Sequence, residues 1–246
     1  MMKEKVKTVQ FRSTIFLQQN IGYTPDSANE FKNLLMPESL DVKVYGIPQL
    51  SVPVVGVNPN TPQYGMPWRL FMKTSSGGYN VAFQPGKIDI ILAIETVYNE
   101  EIERDFCNKC VEWFSKILST GKSSVTRVAY APSYAINDLV EGENSIWNSL
   151  LKKTVIEGIQ TQDVNLNFLL KKEMEIGGGI VQVNLLHNIL DGFHTKADGT
   201  VEKVLLFQLD LNTIPEVNVN LNQEGLSEFY SKILKIKSNL VDNVTE

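Results

Sequence analysis

Three consecutive glycines, Gly177 to Gly179, separate two runs of strand-forming residues, Val164 to Ile176 and Ile180 to Leu190. Two such runs joined by a glycine turn are typical of an antiparallel β-hairpin. A phosphate-binding loop would need a following Lys-Ser/Thr pair and a helix, whereas here Ile180 and a strand follow. The segment therefore predicts antiparallel sheet in the second half of the chain.

A second glycine-containing loop, at 74–78, predicts another hairpin between Trp68 to Lys73 and Tyr79 to Phe83. Pro132 interrupts one of the remaining strand-like runs, which favours an edge strand or a bulge at that point. The further predicted strands are Lys5 to Leu17, Ile88 to Val97, Val125 to Ile136 and Val201 to Leu211.

Two long amphipathic helices are predicted, one for each set of strands. Asn99 caps the first, which runs to about Leu118 and is followed by Gly121 as a stop signal. We interpret its early acids, Glu100, Glu101 and Glu103, as charges that favour the positive end of the helix dipole. Asn222 caps the second, which runs to about Leu240. The predicted buried stripes are Ile102, Phe106, Cys110, Trp113 and Ile117 in the first helix, and Leu226, Phe229, Ile233, Ile236 and Leu240 in the second.

These elements indicate an α+β fold made of two related halves, in which antiparallel sheet carries one long amphipathic helix per half. Shorter helices are expected at Asp26 to Leu35 and Ser145 to Gln160. The polar, turn-rich stretch Glu141 to Asn144 suggests a boundary, which divides the chain into an N-terminal half, 1–140, and a C-terminal half, 141–246. The first half includes a proline-rich arm at 47–67, which cannot be regular helix.

Composition excludes several classes of protein. The chain of 246 residues carries 28 acidic and 23 basic residues, so nucleic acid is disfavoured as a partner. No apolar run is long enough for a membrane span and no signal peptide is recognised, so we expect a cytoplasmic protein without a membrane partner. With 2 cysteines, a secreted disulfide scaffold is excluded.

The residues that could carry chemistry do not form a coherent catalytic set. Cys107 and Cys110 lie inside the predicted helix rather than at its start, where a redox pair would be activated, so we expect packed, inert thiols. A zinc site would need two further ligands beside the two histidines, His187 and His194. His187 could meet Asp191 or Asp210 as part of a triad, but no nucleophile elbow supplies a serine. We therefore predict no catalytic residues, no metal and no cofactor.

The end of the proline-rich arm is the best candidate for a binding surface. Tyr64, Met66 and Trp68 follow one another there and could present apolar surface to a partner. The alternative is that the arm packs over the protein's own core. A sheet of this kind also tends to leave an edge or face open to another chain.

Four stretches of the chain carry a resemblance to other proteins: Trp68 to Ile94, Arg127-Val128-Ala129-Tyr130 through Tyr134 and Asn137, Leu206 to Leu211, and Leu221 to Leu240. These stretches resemble a sporadically distributed bacterial family of uncharacterised proteins of similar length. They cover about half of the chain, and Pro132-Ser133 departs from the family's more regular strand. The resemblance implies the fold and adds Arg127 and Tyr130 to the candidate binding residues, but brings no known function.

Taken together, these observations favour a non-enzymatic protein-interaction or regulatory protein of a bacterium or mobile element. We expect it to act through a sheet edge or face and the proline-rich arm, with a protein partner or self-association as a homodimer. A small-ligand-binding domain, with a small molecule held between sheet and helices, is the alternative. An uncatalogued hydrolase or nuclease would need His187, Asp191 and Asp210 to converge.

Overall fold

A computed structural model of the chain describes residues 6–19, 25–35, 43–48, 68–74, 78–84, 86–136, 165–195, 199–214 and 221–245. The predicted helix at 145–160 and the arm from 49 to 67 lie outside these residues. The described strands are β1 (Val6–Leu17), β2 (Lys43–Pro48), β3 (Trp68–Lys73), β4 (Tyr79–Gln84), β5 (Lys87–Val97), β6 (Val125–Tyr130), β7 (Ser133–Ile136), β8 (Asn165–Ile176), β9 (Gly179–Thr195) and β10 (Val201–Thr213). The described helices are α1 (Pro25–Leu35), α2 (Glu100–Ser119) and α3 (Gln223–Thr245).

The strands form one large antiparallel sheet, which confirms the α+β fold class. Nine strands follow the order β2-β3-β4-β5-β1-β6-β10-β9-β8, and β7 pairs with β1 and β10 beside β6. Strands from both sides of position 140 therefore share the sheet, because β6 and β7 pair with β10. The division of the chain at 140/141 stays a prediction.

Pro132 separates β6 from β7, and this break lies at the centre of the sheet rather than at an edge. Ala131 exchanges backbone hydrogen bonds with Arg12 of β1, and the carbonyl of Pro132 accepts one from Leu209 of β10. The register is the same on both sides of Pro132, because Tyr130 pairs with Ser13 of β1 and Ser133 pairs with Gln10. The nearest register shift lies further along β1, between Thr8 and Gln10, opposite β7. Neither an edge nor a bulge therefore occurs at Pro132. The strand is interrupted there because proline cannot donate to the ladder.

Both hairpins form as predicted. Ile176 pairs with Gly179 across a two-residue loop whose Gly177 and Gly178 have φ angles of 59° and 77°. Positive φ at both positions is the requirement of a type I′ turn, and glycine meets it without a steric cost. In the first hairpin β3 pairs with β4.

All three described helices pack on the same face of the sheet, which we call the helix face. Phe31 of α1 contacts Phe83, Phe106 of α2 contacts Phe11, and Tyr230 of α3 contacts Tyr130. The core lies in this layer, and α2 packs between α1 and α3. Side chains alternate along each strand, so Arg12, Thr14 and Asp89 lie on the opposite face of the sheet.

The predicted caps are present. The Asn99 side chain accepts a hydrogen bond from the amide of Glu101 at 2.8 Å, and Asn222 accepts one from the amide of Gly225 at 3.0 Å. After α2, Gly121 takes a φ of 67°, as a helix stop requires.

Candidate functional site

A cluster of polar and charged side chains lies in the core between α2, α3 and the central strands. Glu103 of α2 and Lys237 of α3 form an ion pair, and their side chains are only 1% and 2% exposed. The interpretation of Glu103 as a helix-end charge did not include this buried ion pair. Its backbone lies in the first turn of α2, but its carboxylate points into the core.

Three tyrosines complete the cluster. Tyr130 and Tyr134 donate hydrogen bonds to Oε1 of Glu103 at 2.6 and 3.1 Å, and Tyr98 donates one to Oε2 at 3.2 Å. Lys237 donates to the Tyr98 hydroxyl as well as to Glu103, and its ammonium lies 4.4 Å from the Tyr98 ring centroid. A buried charge is tolerated when its hydrogen-bonding capacity is filled, and here both carboxylate oxygens have two partners.

This arrangement keeps Tyr130 and Tyr134 neutral. Burial, reinforced by the neighbouring Glu103 carboxylate, raises the pKa of Tyr130 and of Tyr134 well above the ordinary tyrosine value. Each hydroxyl can therefore donate to the carboxylate over the whole physiological range. The cluster is closed to solvent and so fits a structural role better than a substrate site.

The two cysteines lie next to this cluster, inside α2. Cys107 and Cys110 are both buried, as predicted. Burial raises the pKa of both thiols well above the ordinary value. Cys110 lies within hydrogen-bonding reach of Ser13 and Tyr230, which are themselves in contact. A buried, protonated thiol is a poor nucleophile.

The histidine triad does not assemble from the described side chains. His187 lies on the helix face, where its ring meets Phe207 edge-on. Asp210, which is opposite Leu186 in the pairing of β9 with β10, lies on the other face. Burial lowers the pKa of His187. The side chain of Asp191 lies outside the described ones, as does that of His194.

Of the residues predicted to bind a partner, Arg127 and Tyr130 are the two with described side chains, and these lie on opposite faces of the sheet. Tyr64 and Met66 lie outside the described residues, and Trp68 begins β3 without a described side chain. Arg127 lies on the face opposite the helices, with its guanidinium 4.7 Å from the Phe16 ring centroid. Tyr130 is fully buried, so it could influence a partner only through the core.

A continuous run of exposed apolar residues lies elsewhere, on β8 at one end of the sheet. The seven consecutive residues from 167 to 173 are all exposed. Phe168, Leu169 and Leu170 have exposed fractions of 46%, 58% and 51%. Sequence reasoning identified the strand but not its exposure, because alternation along a strand gives no information about its place in the sheet.

A groove adjoins this surface between β8 and α3. It has a volume of about 370 Å³, and its floor includes Met174 and Ile236. Its charged lining residues are Lys172, Lys232, Lys235 and Glu175. Exposed apolar residues and an apolar groove thus lie side by side along the same strand.

Neither a family model nor a curated protein matches the chain. Within the described residues, no helix is long and apolar enough to cross a membrane. The same residues contain no group of three or more His, Cys, Asp or Glu side chains that could hold a metal ion.

Proposed function

We propose that the protein is a non-enzymatic protein-interaction or regulatory protein of a bacterium or mobile element, which binds another protein chain at the outer edge of its sheet. The observation that carries this proposal is the run of exposed residues on β8, which includes Phe168, Leu169 and Leu170. An unpaired strand with apolar side chains is a template for a further strand, and proteins usually blunt such edges when they are not used. The proline-rich arm would add to the same function.

The arrangement of the strands supports the proposal of two related halves. In the first, β1 is followed by the run β3-β4-β5 and by α2, and β5 pairs with β1. In the second, β6 and β7 are followed by the run β8-β9-β10 and by α3, and β10 pairs with β6 and β7. An approximate two-fold axis between β1 and β6/β7 would relate them, with β2 as an addition to the first half.

In such a pair of halves, β8 corresponds to β3. The outer side of β3 is covered by β2, whereas no described strand covers the outer side of β8. The position that β2 fills in the first half is therefore open in the second, where another chain can add a strand.

Photo-crosslinking tests the proposed function. A photoreactive residue replaces Leu169, and the protein is irradiated in its native cells. The matched control carries the same residue at Val97, which is 50% exposed on β5. We expect a defined protein adduct from position 169 and none from position 97. Equal labelling at both positions, or no adduct at 169, would contradict the proposal.

A small-ligand-binding protein is the second candidate, and the groove between β8 and α3 favours it. The volume of about 370 Å³ falls within the range of small-molecule sites. Apolar walls with three lysines and one glutamate leave a net positive charge, which suits an amphipathic anion. Calorimetric titration with dodecanoate tests this. Saturable binding that Ile236→Asp abolishes would support it, and absence of heat at millimolar ligand would contradict it.

A further inference from the structure

We propose that the chain that binds β8 is a second copy of this protein, whose β8 pairs antiparallel with the first in a register that places Lys171 opposite Glu173. This inference rests on the proposed function and names its partner. The dimer would extend the sheet across a two-fold axis at Lys172.

The hairpin geometry fixes which backbone groups of β8 point outward. Ile176 and Gly179 flank a two-residue turn, so they exchange hydrogen bonds with each other, and alternate residues of β8 do the same with β9. The backbone groups of the odd-numbered residues consequently point away from β9. The carbonyl of Glu175 agrees with this direction, because it accepts a hydrogen bond from Lys232 of α3 rather than from β9.

Charge selects the register. A two-fold axis perpendicular to the sheet leaves the helix faces of both copies on the same side of the joined sheet. Such an axis must lie midway between one residue of β8 and the same residue of the other copy. With the axis at Lys172, Lys171 lies opposite Glu173 of the other copy, and the symmetry makes this pair twice. Moving the axis by one residue would place Lys171 against its own copy, or Glu173 against its own copy. Opposite charges across strands stabilise pairing, and like charges destabilise it.

The apolar residues fit the same register. On the helix face, Leu170 of each copy lies opposite Met174 of the other, at the groove that Met174 and Ile236 line. Phe168 lies opposite Ile176 in the same way. The exposed side chains of one copy therefore cover the groove of the other, as an interface related by a two-fold axis requires.

The register has two unfavourable elements. The two Lys172 side chains face each other across the axis, near Lys232 and Lys235. Long lysine stems can direct their ammonium groups into solvent, so this repulsion weakens the dimer without preventing it. Glu175 opposite Leu169 also requires Lys232 to release the Glu175 carbonyl.

Self-pairing explains the strand better than a different partner does. The complementary charges Lys171 and Glu173 lie on one strand, two residues apart on one face, and within the described residues neither has an ion-pair partner. The other edge of the described sheet, β2, is 6 residues long and ends at Pro48, whereas β8 has 12 residues and no proline. Proline and short length are devices that limit edge pairing, and β8 lacks both.

Charge exchange tests the register by sedimentation equilibrium. We expect a dimer whose dissociation constant rises about tenfold or more for Lys171→Glu and for Glu173→Lys, since each replaces two attractive pairs with two repulsive ones. The double variant, Lys171→Glu with Glu173→Lys, should return to within about threefold of the parent. Lys73→Glu, a lysine on β3 with the same change in charge, is the matched control and should leave the dimer unchanged.

Disulfide formation gives an independent test. Lys172→Cys should form a disulfide with its own copy, because residues that face each other in a non-hydrogen-bonded pair lie about 4.5 Å apart between Cα atoms. Leu169→Cys should not, because the two positions lie about 20 Å apart along the paired strands. The native cysteines are buried and do not compete.

The outcomes separate this inference from the proposed function. A monomer at all concentrations, a dimer that ignores both charge reversals, or a disulfide from Leu169→Cys but not from Lys172→Cys would overturn the inference. If position 169 then crosslinks to a different protein, the interaction function stands and its partner is not a second copy. If position 169 gives no adduct, the interaction function fails as well.

Discussion

Removal of the buried ammonium of Lys237 should destabilise the protein strongly. Lys237→Met keeps the length of the side chain but leaves the Glu103 carboxylate, 1% exposed, without its counter-charge. Removing one partner of a buried ion pair costs about 3–5 kcal/mol, because the remaining charge is uncompensated. We expect the free energy of unfolding to fall by that amount, toward the lower part of the range since the three tyrosine hydroxyls still donate to the carboxylate.

A second substitution should restore most of that loss. In the double variant Glu103→Gln with Lys237→Met, the amide oxygen still accepts from Tyr130 and Tyr134, and the amide nitrogen can donate to the Tyr98 hydroxyl. Replacing a buried ion pair by neutral side chains of similar volume is often close to neutral. The double variant should therefore be about 2 kcal/mol more stable than Lys237→Met alone.

Urea unfolding followed by tryptophan fluorescence measures both effects. With a slope of about 3 kcal/mol per molar urea, the midpoint of Lys237→Met should lie about 1 M below that of the parent protein. Glu112→Gln is the control, because Glu112 forms ion pairs with Lys109 and Lys116 on the exposed side of α2 and should change stability by about 1 kcal/mol or less. Additive effects of the two core substitutions, or a loss for Lys237→Met no larger than for the control, would refute the reasoning.

Three further outcomes follow from buried polar groups. Asp89→Asn should lower the free energy of unfolding, measured with urea, by about 2 kcal/mol, because Asp89 is 1% exposed and accepts charge-assisted hydrogen bonds from Arg12 of β1. The control Asp105→Asn, at an exposed site on α2, should change the free energy of unfolding little. Equal losses for the two variants would contradict this. Cys107 and Cys110 should react with an aromatic disulfide reagent only after unfolding, even as the pH rises above 9, because burial raises the pKa of both; fast reaction of the native protein would disagree. Burial raises the pKa of Tyr130, so its contribution to stability is fully present when the pH is below the ordinary tyrosine pKa of 10 and is lost as the pH rises through the folded-state pKa. Ultraviolet titration should show that Tyr130→Phe removes one tyrosine that ionises late. An unchanged titration would count against this.

Local patterns predicted the elements because local chemistry decides them. The two-residue glycine turn can only reverse the chain, and the caps at Asn99 and Asn222 satisfy amides that lie within three residues. Pro132 marked the interruption of a strand for the same reason. Its place at the centre of the sheet depended on the pairing of β6 and β7 with β1 on one side and β10 on the other, which are distant in the sequence.

The buried ion pair escaped prediction because its charges are placed by distant parts of the chain, although each helix carried a signal. Glu103 lies three residues before Phe106 and seven before Cys110, on the predicted buried stripe of α2. Lys237 lies four residues after Ile233, on the stripe of α3. A charge at a core position of one helix is costly, so two such charges of opposite sign on two packed helices indicate a pair.

For the proposed surface on β8, the sequence shows the residues but not their position in the sheet. The charges of Lys171 and Glu173 and the apolar residues before them are visible in the sequence, but only the sheet order reveals that β8 is the last strand on its side.

The buried ion pair in the core affects how much of the edge strand β8 is exposed. Glu103 and Lys237 tie α2 to α3, and the tyrosine hydroxyls tie that pair to β6 and β7 at the centre of the sheet. Because each partner is satisfied only in one geometry, the cluster holds both helices in a fixed position on the sheet. The position of α3 in turn determines how much of β8 is covered, since α3 packs over Met174 and Ile176 and leaves Phe168 and Leu170 exposed. A substitution that loosens the ion pair without unfolding the protein should therefore weaken binding at β8, although no residue of the cluster lies on that surface.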